Sequence, residues 1–402
     1  MVCKRVTTCL CKFSRARLLC LIITGAIFII FQFILVEGRS ATSYEPNAST
    51  AQILERGLER TPIIKNILHF MRFISRPLYD SQSYDDWHKF SYNPTNLPET
   101  CTKNGWAVRK DSVKLYDAFL FSHELDILEI RLKELYDIVD FFVITESKQT
   151  FSKQGQKNLF FNLTKSTRFK KYMPKIIHHI TEPGGTLFLA EAKSRNSQQQ
   201  GLMEAGIKPG DIVFLSDVDE IPRKSALKLF KTCSQFPSIV YFSLRHYMYS
   251  FVYPLEYHVT GKVITYTSGE NYMGRVKKGN GNMLLNAGWH CSFCFRYLDD
   301  ITHKLQSYSH RERYRKYHEN LNLIQKKIQN GNFIYDSWPE AFSFKNIWSL
   351  WPPFRKHISD DVPIAVNKDK KNFGFLNTKE CIRERHNPIT YWDEMYPRPY
   401  KK

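Results

Sequence analysis

Within residues 113–145 the hydrophobic period changes twice, and that change limits the folds open to this chain. Residues 113–121 read as a strand. Leu125, Leu128, Leu132 and Leu135 then recur at spacings of three and four, which makes one helical face, with Ser122 as the expected N-cap. Residues 138–145 are nearly continuous apolar and β-rich, as in a strand buried on both faces. Strand, helix and strand in so short a span make a βαβ unit, with a right-handed crossover and a parallel sheet. Further strands are expected at 175–180 and 238–244, and a helix at 187–204. Alternation of this kind predicts an α/β domain that binds a nucleotide at the strand ends.

The segment Asp211-Ile-Val-Phe-Leu-Ser-Asp-Val-Asp-Glu-Ile-Pro222 places chemistry on that frame. A short apolar run ends abruptly in Asp217, Asp219 and Glu220, and Pro222 breaks the pattern. Carboxylates where a buried strand leaves the sheet lie in the usual ligand crevice of an open α/β fold. Hard oxygen ligands there suit Mg²⁺ or Mn²⁺ carrying a diphosphate. The plainer alternative is an acidic turn before a helix at 223–232. Neither a G-x-G-x-x-G loop nor a Walker lysine is present, since Lys278-Gly-Asn-Gly-Asn282 has the wrong spacing. A diphosphate would therefore rest on metal and cationic side chains.

The N-terminus sets the compartment. Residues 18–36 are uncharged and apolar over about the length of one membrane-crossing helix. Lys4, Arg5, Lys12, Arg15 and Arg17 precede them without an acidic residue, so residues 1–17 are expected to stay in the cytosol and the rest to enter the secretory lumen. A stem is expected over 37–110, with one short amphipathic helix near 63–73, then a catalytic domain over 111–345 and a loop-rich extension over 346–402. The net charge of +19 favours anionic partners such as nucleotide diphosphates, acidic glycans or a membrane surface, and this compartment disfavours nucleic acid. Asn47 and Asn162 open N-x-[ST] triplets on the lumenal side. Beyond the apolar span the cysteines are Cys101, Cys233, Cys291, Cys294 and Cys381; their odd number leaves at least one unpaired within the chain. Cys291-Ser-Phe-Cys294 lacks the second pair a zinc site needs, which leaves a local disulfide or two buried thiols.

Asp117-Ala-Phe-Leu-Phe-Ser-His-Glu-Leu-Asp-Ile-Leu-Glu-Ile-Arg131, with Val139-Asp-Phe-Phe-Val-Ile-Thr-Glu-Ser147, resembles the opening of family 17 glycosyltransferases. The Asp211–Pro222 segment and Gly288-Trp-His-Cys-Ser-Phe-Cys-Phe295 are similar to that family's later motifs. The resemblance covers roughly residues 113–330. It implies a GT-A-like fold, a UDP-GlcNAc donor, a divalent cation and inversion at the anomeric carbon. The acceptor it implies is a glycan or glycoprotein, with β-1,4 transfer to the β-linked mannose of an N-glycan core as one form. It also implies a single-pass type II protein of the Golgi membrane. Two rivals stand beside it: a membrane-anchored glycan-binding pseudoenzyme, and a lumenal metallohydrolase, for which one acidic turn supplies too few ligands.

Such a transfer needs a proton acceptor and positive charge on the leaving diphosphate. Asp217 and Asp219 are the candidate metal ligands, with His290 and then His310 as a third. Lys304 and Arg195 are the candidate donor-binding cations. Asp299 and Asp300 are the candidate base, although a helix cap would explain them equally. Glu220, pointing away on strand alternation, is expected to be structural, while Trp289 and Phe293 are expected to pack the core.

Overall fold

The computed structural model describes residues 84, 86–152, 159–185, 187–268, 281–309, 314–332, 334 and 357–388. The apolar span 18–36, Asn47, the helix expected near 63–73 and His310 lie outside them. No helix among the described residues is long and apolar enough to cross a membrane.

The described chain begins with strand β1 (His88–Phe90), helix α1 (Leu97–Lys103) and strand β2 (Ala107–Val108). Asn96 caps α1 by accepting the Glu99 N–H, and Pro98 sits in the first turn, where it removes no intrahelical donor. The βαβ unit follows as strand β3 (Leu115–Phe121), helix α2 (Leu125–Leu135) and strand β4 (Phe141–Ser147), and β3 and β4 pair in parallel. Helix α3 (Phe160–Thr164), strand β5 (Ile176–Thr181), helix α4 (Leu187–Glu204) and strand β6 (Ile212–Asp217) come next. After the acidic turn lie β7 (Glu220–Pro222), α5 (Lys224–Thr232), β8 (Cys233–Ser234), β9 (Ile239–Met248), β10 (Pro254–Thr265) and β11 (Asn282–Ser292). Helices α6 (Leu298–Ser307), α7 (Leu321–Asn330), α8 (Ile364–Lys368) and α9 (Lys370–Phe373) complete the order.

The main sheet runs β1-β11-β9-β10-β6-β3-β4-β5, with β7 also on β11. Pairings are parallel except that β10 is antiparallel to both β6 and β9, and β7 to β11. The result is a mixed α/β fold with a mostly parallel central sheet. Alternation explains the continuous apolar runs. Leu115 and Phe119 of β3 and Ile212 and Phe214 of β6 join the large core that includes α2. Tyr116 and Ala118, with Val213 and Leu215, face a second core with Leu202 of α4. Both faces are covered, so these strands read as nearly continuous apolar runs, with the buried Asp117 and Ser216 bonded to Arg131.

The structure differs from expectation at four places. Glu124, not Ser122, is the residue that precedes α2, and its carboxylate accepts the Ser122 and His123 N–H groups rather than capping forward. Residues 86–110, read as stem, already belong to the domain: β1 pairs with β11, and Cys101 of α1 is bonded to Cys233. In the extension, Val362, Ala365, Val366, Phe373 and Leu376 lie in the main core. Strands β10 and β11 were also not anticipated, because neither keeps a clean period. A β-carbon on Gly288 of β11 would stand 2.2 Å from the Ile221 carbonyl oxygen, so only glycine lets β7 pair there. Cys291 and Cys294 form a local disulfide, and Cys381 is a buried free thiol.

Candidate functional site

The neighbouring ends of β3 and β6 open into a cleft of about 870 Å³ that is partly solvent. Its walls include Glu124, Arg195, Asp217, Asp219 and Lys304. Phe121 at the end of β3, Ser122 and His123 just after it, and Thr145 and Ser147 at the end of β4 line more of its strand-end rim. Four of the eight site residues named from sequence therefore meet in one cleft, and His290 adjoins it through Asp219.

The turn is built around a residue whose role sequence reasoning missed. Arg131 of α2 is fully buried and forks onto Asp117 of β3, with Nε–Oδ2 at 2.8 Å and Nη2–Oδ1 at 2.6 Å. Its Nη1 donates to the carbonyl oxygens of Asp217 and Glu220 at 2.8 and 2.9 Å, and Nη2 to Ser216 Oγ at 2.6 Å. A planar guanidinium can hold a carboxylate and several carbonyls together, which an ammonium cannot. By drawing the backbone of the turn inward, Arg131 leaves the side chains of Asp217 and Asp219 to the cleft. Only the presence of Arg131 at the end of the first resembling motif marked it in sequence.

Each carboxylate then meets its own cation. Arg195 Nη2 lies 2.7 and 2.8 Å from the two oxygens of Asp217 and 3.0 Å from Glu191. Lys304 Nζ, from the last turns of α6, lies 3.2 Å from Asp219 Oδ2 and 3.1 Å from Glu124 Oε1. Burial opposes the charge on both cations, yet their acidic partners outweigh it and raise both pKa values. Burial likewise opposes the charge of Glu124, but Lys304, His123 and the His123 N–H prevail and hold it at about 2. Glu124 was not singled out from sequence, although it too lies inside the first resembling motif.

His290 of β11 pairs through its backbone with Glu220 of β7, and its Nε2 stands 3.8 Å from Asp219 Oδ1. Its buried Nδ1 has no hydrogen-bond partner among the described residues. The ring stacks on His246 at 4.6 Å, and Ser292 Oγ bridges the two Nε2 atoms at 3.0 and 3.2 Å. Glu220 is buried behind the turn, where its Oε2 accepts the Asp217 N–H at 2.9 Å and its Oε1 the Thr260 hydroxyl. Burial, then the Asp217 charge, raises its pKa. Trp289 and Phe293 are both buried, and Trp289 Nε1 donates to the Asp361 carbonyl.

Asp299 and Asp300 do not line this cleft. They occupy the first turn of α6, where Asp299 accepts the Asn387 backbone N–H at 3.0 Å and Asp300 the Asn387 side-chain amide at 2.9 Å. Their carboxylates fasten the C-terminal segment to the helix; they do not cap it, since Tyr297 holds the cap position and no side chain bonds there. No preassembled group of three or more His, Cys, Asp or Glu ligands occurs among the described residues.

Comparison with known proteins fits this layout. The chain is 26% identical over 282 residues to the beta-1,4-mannosyl-glycoprotein 4-beta-N-acetylglucosaminyltransferases of Rattus norvegicus and Homo sapiens. The match takes in 60% of this chain and 51% and 52% of theirs, so the chain spans about half the length of the curated relatives it matches. Among solved structures, glucosyl-3-phosphoglycerate synthase from Mycobacterium tuberculosis, in complex with Mn²⁺, UDP and phosphoglyceric acid, is 14% identical with a TM-score of 0.22. That overlap covers 40% of this chain and 49% of that one, a likeness too slight to carry an argument. The model of Glycosyltransferase family 17 matches residues 60–384, most of the chain, and the chain belongs to that family.

Proposed function

We propose that this chain transfers N-acetylglucosamine from UDP-GlcNAc to a glycan, with inversion and with help from a divalent cation, in a GT-A-like domain. The observation that carries the reading is the pairing of two carboxylates and two cations, Asp217 with Arg195 and Asp219 with Lys304, in one cleft at parallel strand ends. The relatives' name suggests the acceptor: a β-1,4-linked mannosyl unit of a glycoprotein, whose 4-hydroxyl would attack the anomeric carbon of the donor as UDP leaves. The same proposal places the domain in the Golgi lumen behind an anchor at residues 18–36.

The residues fit a cation. Asp217 and Asp219 offer hard oxygens on a common wall, and His290 Nε2, shared with Ser292 Oγ, stands 3.8 Å from Asp219 Oδ1. Carboxylate and imidazole donors suit Mn²⁺ or Mg²⁺, with diphosphate and water oxygens completing the shell. When bound, the cation supplies positive charge where charge grows on the departing diphosphate. Lys304 adds a fixed positive charge on the same wall, and its buried setting makes that charge more effective than in water. Arg195 orients Asp217 through contacts of 2.7 and 2.8 Å to its two oxygens. The loop after β3 and the end of β4 bound the space for the nucleoside.

The test uses the full chain in detergent with UDP-sugars, Mn²⁺ and a glycan array, with products identified by mass. Transfer of N-acetylglucosamine is expected, and Asp219→Ala or EDTA should remove most of it. Full activity in either condition would overturn metal dependence. Release of free phosphate without sugar transfer would point to a hydrolase instead.

A further inference from the structure

A second cleft, about 730 Å³ and also partly open, shares Arg195 and Asp217 with the first. Its other polar walls are Gln198 of α4, Glu220, and Thr260 and Lys262 of β10. The Arg195–Asp217 ion pair is thus a partition between two hollows. Gln198 is only 2% exposed, yet its Nε2 has no hydrogen-bond partner among the described residues. A buried amide donor left without an acceptor is costly, so its persistence at a cleft wall points to a ligand that accepts from it.

The lining also narrows the ligand's chemistry. Asp217 and Glu220 are balanced by Arg195 and Lys262, and Arg195 is already held by Asp217 and Glu191, so the cleft has no surplus charge to draw an anion. Donors and acceptors are interspersed, which suits a neutral ligand carrying many hydroxyls. Tyr84 and Tyr241 add aromatic surface against which the C–H faces of a sugar ring can pack. Because the partition carries Asp217, a hydroxyl held in this cleft would be presented beside the proposed donor site.

We propose that the second cleft receives a pyranose of the acceptor glycan, with Gln198 Nε2 donating to one of its oxygens. The proposal rests on the reading of the chain as a sugar transferase. Its test uses the full chain in detergent with the trimannosyl N-glycan core as probe, in the presence of UDP and Mn²⁺. Gln198→Met keeps the length of the side chain and removes the donor. His258→Ala alters an exposed residue of the same lining. Its ring also stacks on His290 at 5.7 Å, so an unchanged UDP affinity is required of this variant before a KM shift counts as an acceptor effect. Acceptor KM, UDP affinity by calorimetry and saturation transfer from protein to probe are measured for each, with thermal melting as the folding control.

Loss of one hydrogen bond should raise the acceptor KM about 3- to 10-fold in Gln198→Met and weaken saturation transfer, while UDP affinity holds. His258→Ala should shift acceptor KM in the same direction, and it decides alone if Gln198→Met does not fold. Unchanged KM and saturation transfer in the folded variants overturn the proposal, as does a wild-type protein that gives no saturation transfer. If no glycan is extended, yet the core binds and the variants lose it, the cleft assignment stands and the transferase reading fails.

Discussion

Arg131 is charged and fully buried, which is tolerable only because Asp117 and the carbonyls of the acidic turn consume its hydrogen-bonding capacity. Removing one partner of such a pair strands the other, at a cost of about 3–5 kcal/mol. Arg131→Met should therefore lower the melting temperature sharply. Arg131→Lys should keep more of the fold but loosen UDP binding, because an ammonium cannot reproduce the fork. Equal UDP affinity in a folded Arg131→Lys protein, read by calorimetry, would remove its positioning role. Glu124 makes a pH prediction. Its pKa is about 2 in the fold against 4.5 for a free glutamate, so its stabilisation is complete above pH 4.5 and disappears as pH falls through about 2. Glu124→Gln should be less stable than wild type at neutral pH by up to about 3 kcal/mol, the free energy of that shift, and the gap should close in that acid window. A gap independent of pH in denaturation curves would contradict this account. Neither role was legible in the sequence: both residues stood in a motif, but their partners lie far along the chain.

Helix α6 joins two parts of the molecule. Its last turns carry Lys304 to Asp219, while its first turn is tied to the segment from Glu384 to Asn387, which also accepts the Leu298 and Asp299 N–H groups. The sequence made Asp299 and Asp300 candidates for the base, and the tertiary contacts make them the fastening of this helix. The two roles differ in magnitude. Loss of a positioned base slows chemistry by about 10²–10⁴-fold, whereas loss of a few hydrogen bonds at a helix start costs about 1–2 kcal/mol of stability. Asp299→Asn and Asp300→Asn are therefore expected to lower thermal stability and leave the rate of the folded protein within a few-fold. A hundredfold loss of rate at unchanged melting temperature would restore the base. Helix α4 was read correctly over its length, because both its ends lie at breaks in the pattern. Strand β11 was not, since Gly288 and the asparagine at 286, which has positive φ, interrupt its alternation.

All described residues fall in one compact unit, Gln82–Asp336 with Phe344–Lys402. Two disulfides act in it at different ranges. Cys101–Cys233 closes a loop of 132 residues, and Cys291–Cys294 a separation of only 3. In the chain-entropy picture these restrict the unfolded state by about 5 and about 2 kcal/mol. Replacing Cys101 and Cys233 by serine should thus cost the most stability. Replacing Cys291 and Cys294 should be milder on melting but weaken UDP binding more, since the Cys291 N–H donates to the Asp219 carbonyl at 2.9 Å. Calorimetry of both double variants checks the contrast, and the reverse ranking would refute it.

The sequence by itself determined the central strands β3, β4 and β6, because burial on both faces leaves nearly continuous apolar runs. It also determined that an acidic turn ends β6, because carboxylates after such a run have nowhere to go but the sheet's end. Periodicity is a local property and reads no further than the element that carries it. That Lys304 meets Asp219, that Arg131 turns inward beneath the turn, and that Asp299 and Asp300 face the C-terminal segment were decided only by tertiary packing. Those pairings join residues from about 80 to 90 positions apart, as measured by their contacts across α2, β6, α6 and the tail. Contacts at that range leave no spacing in the chain to read, and what selects them is the need to match buried charges once the sheet has formed.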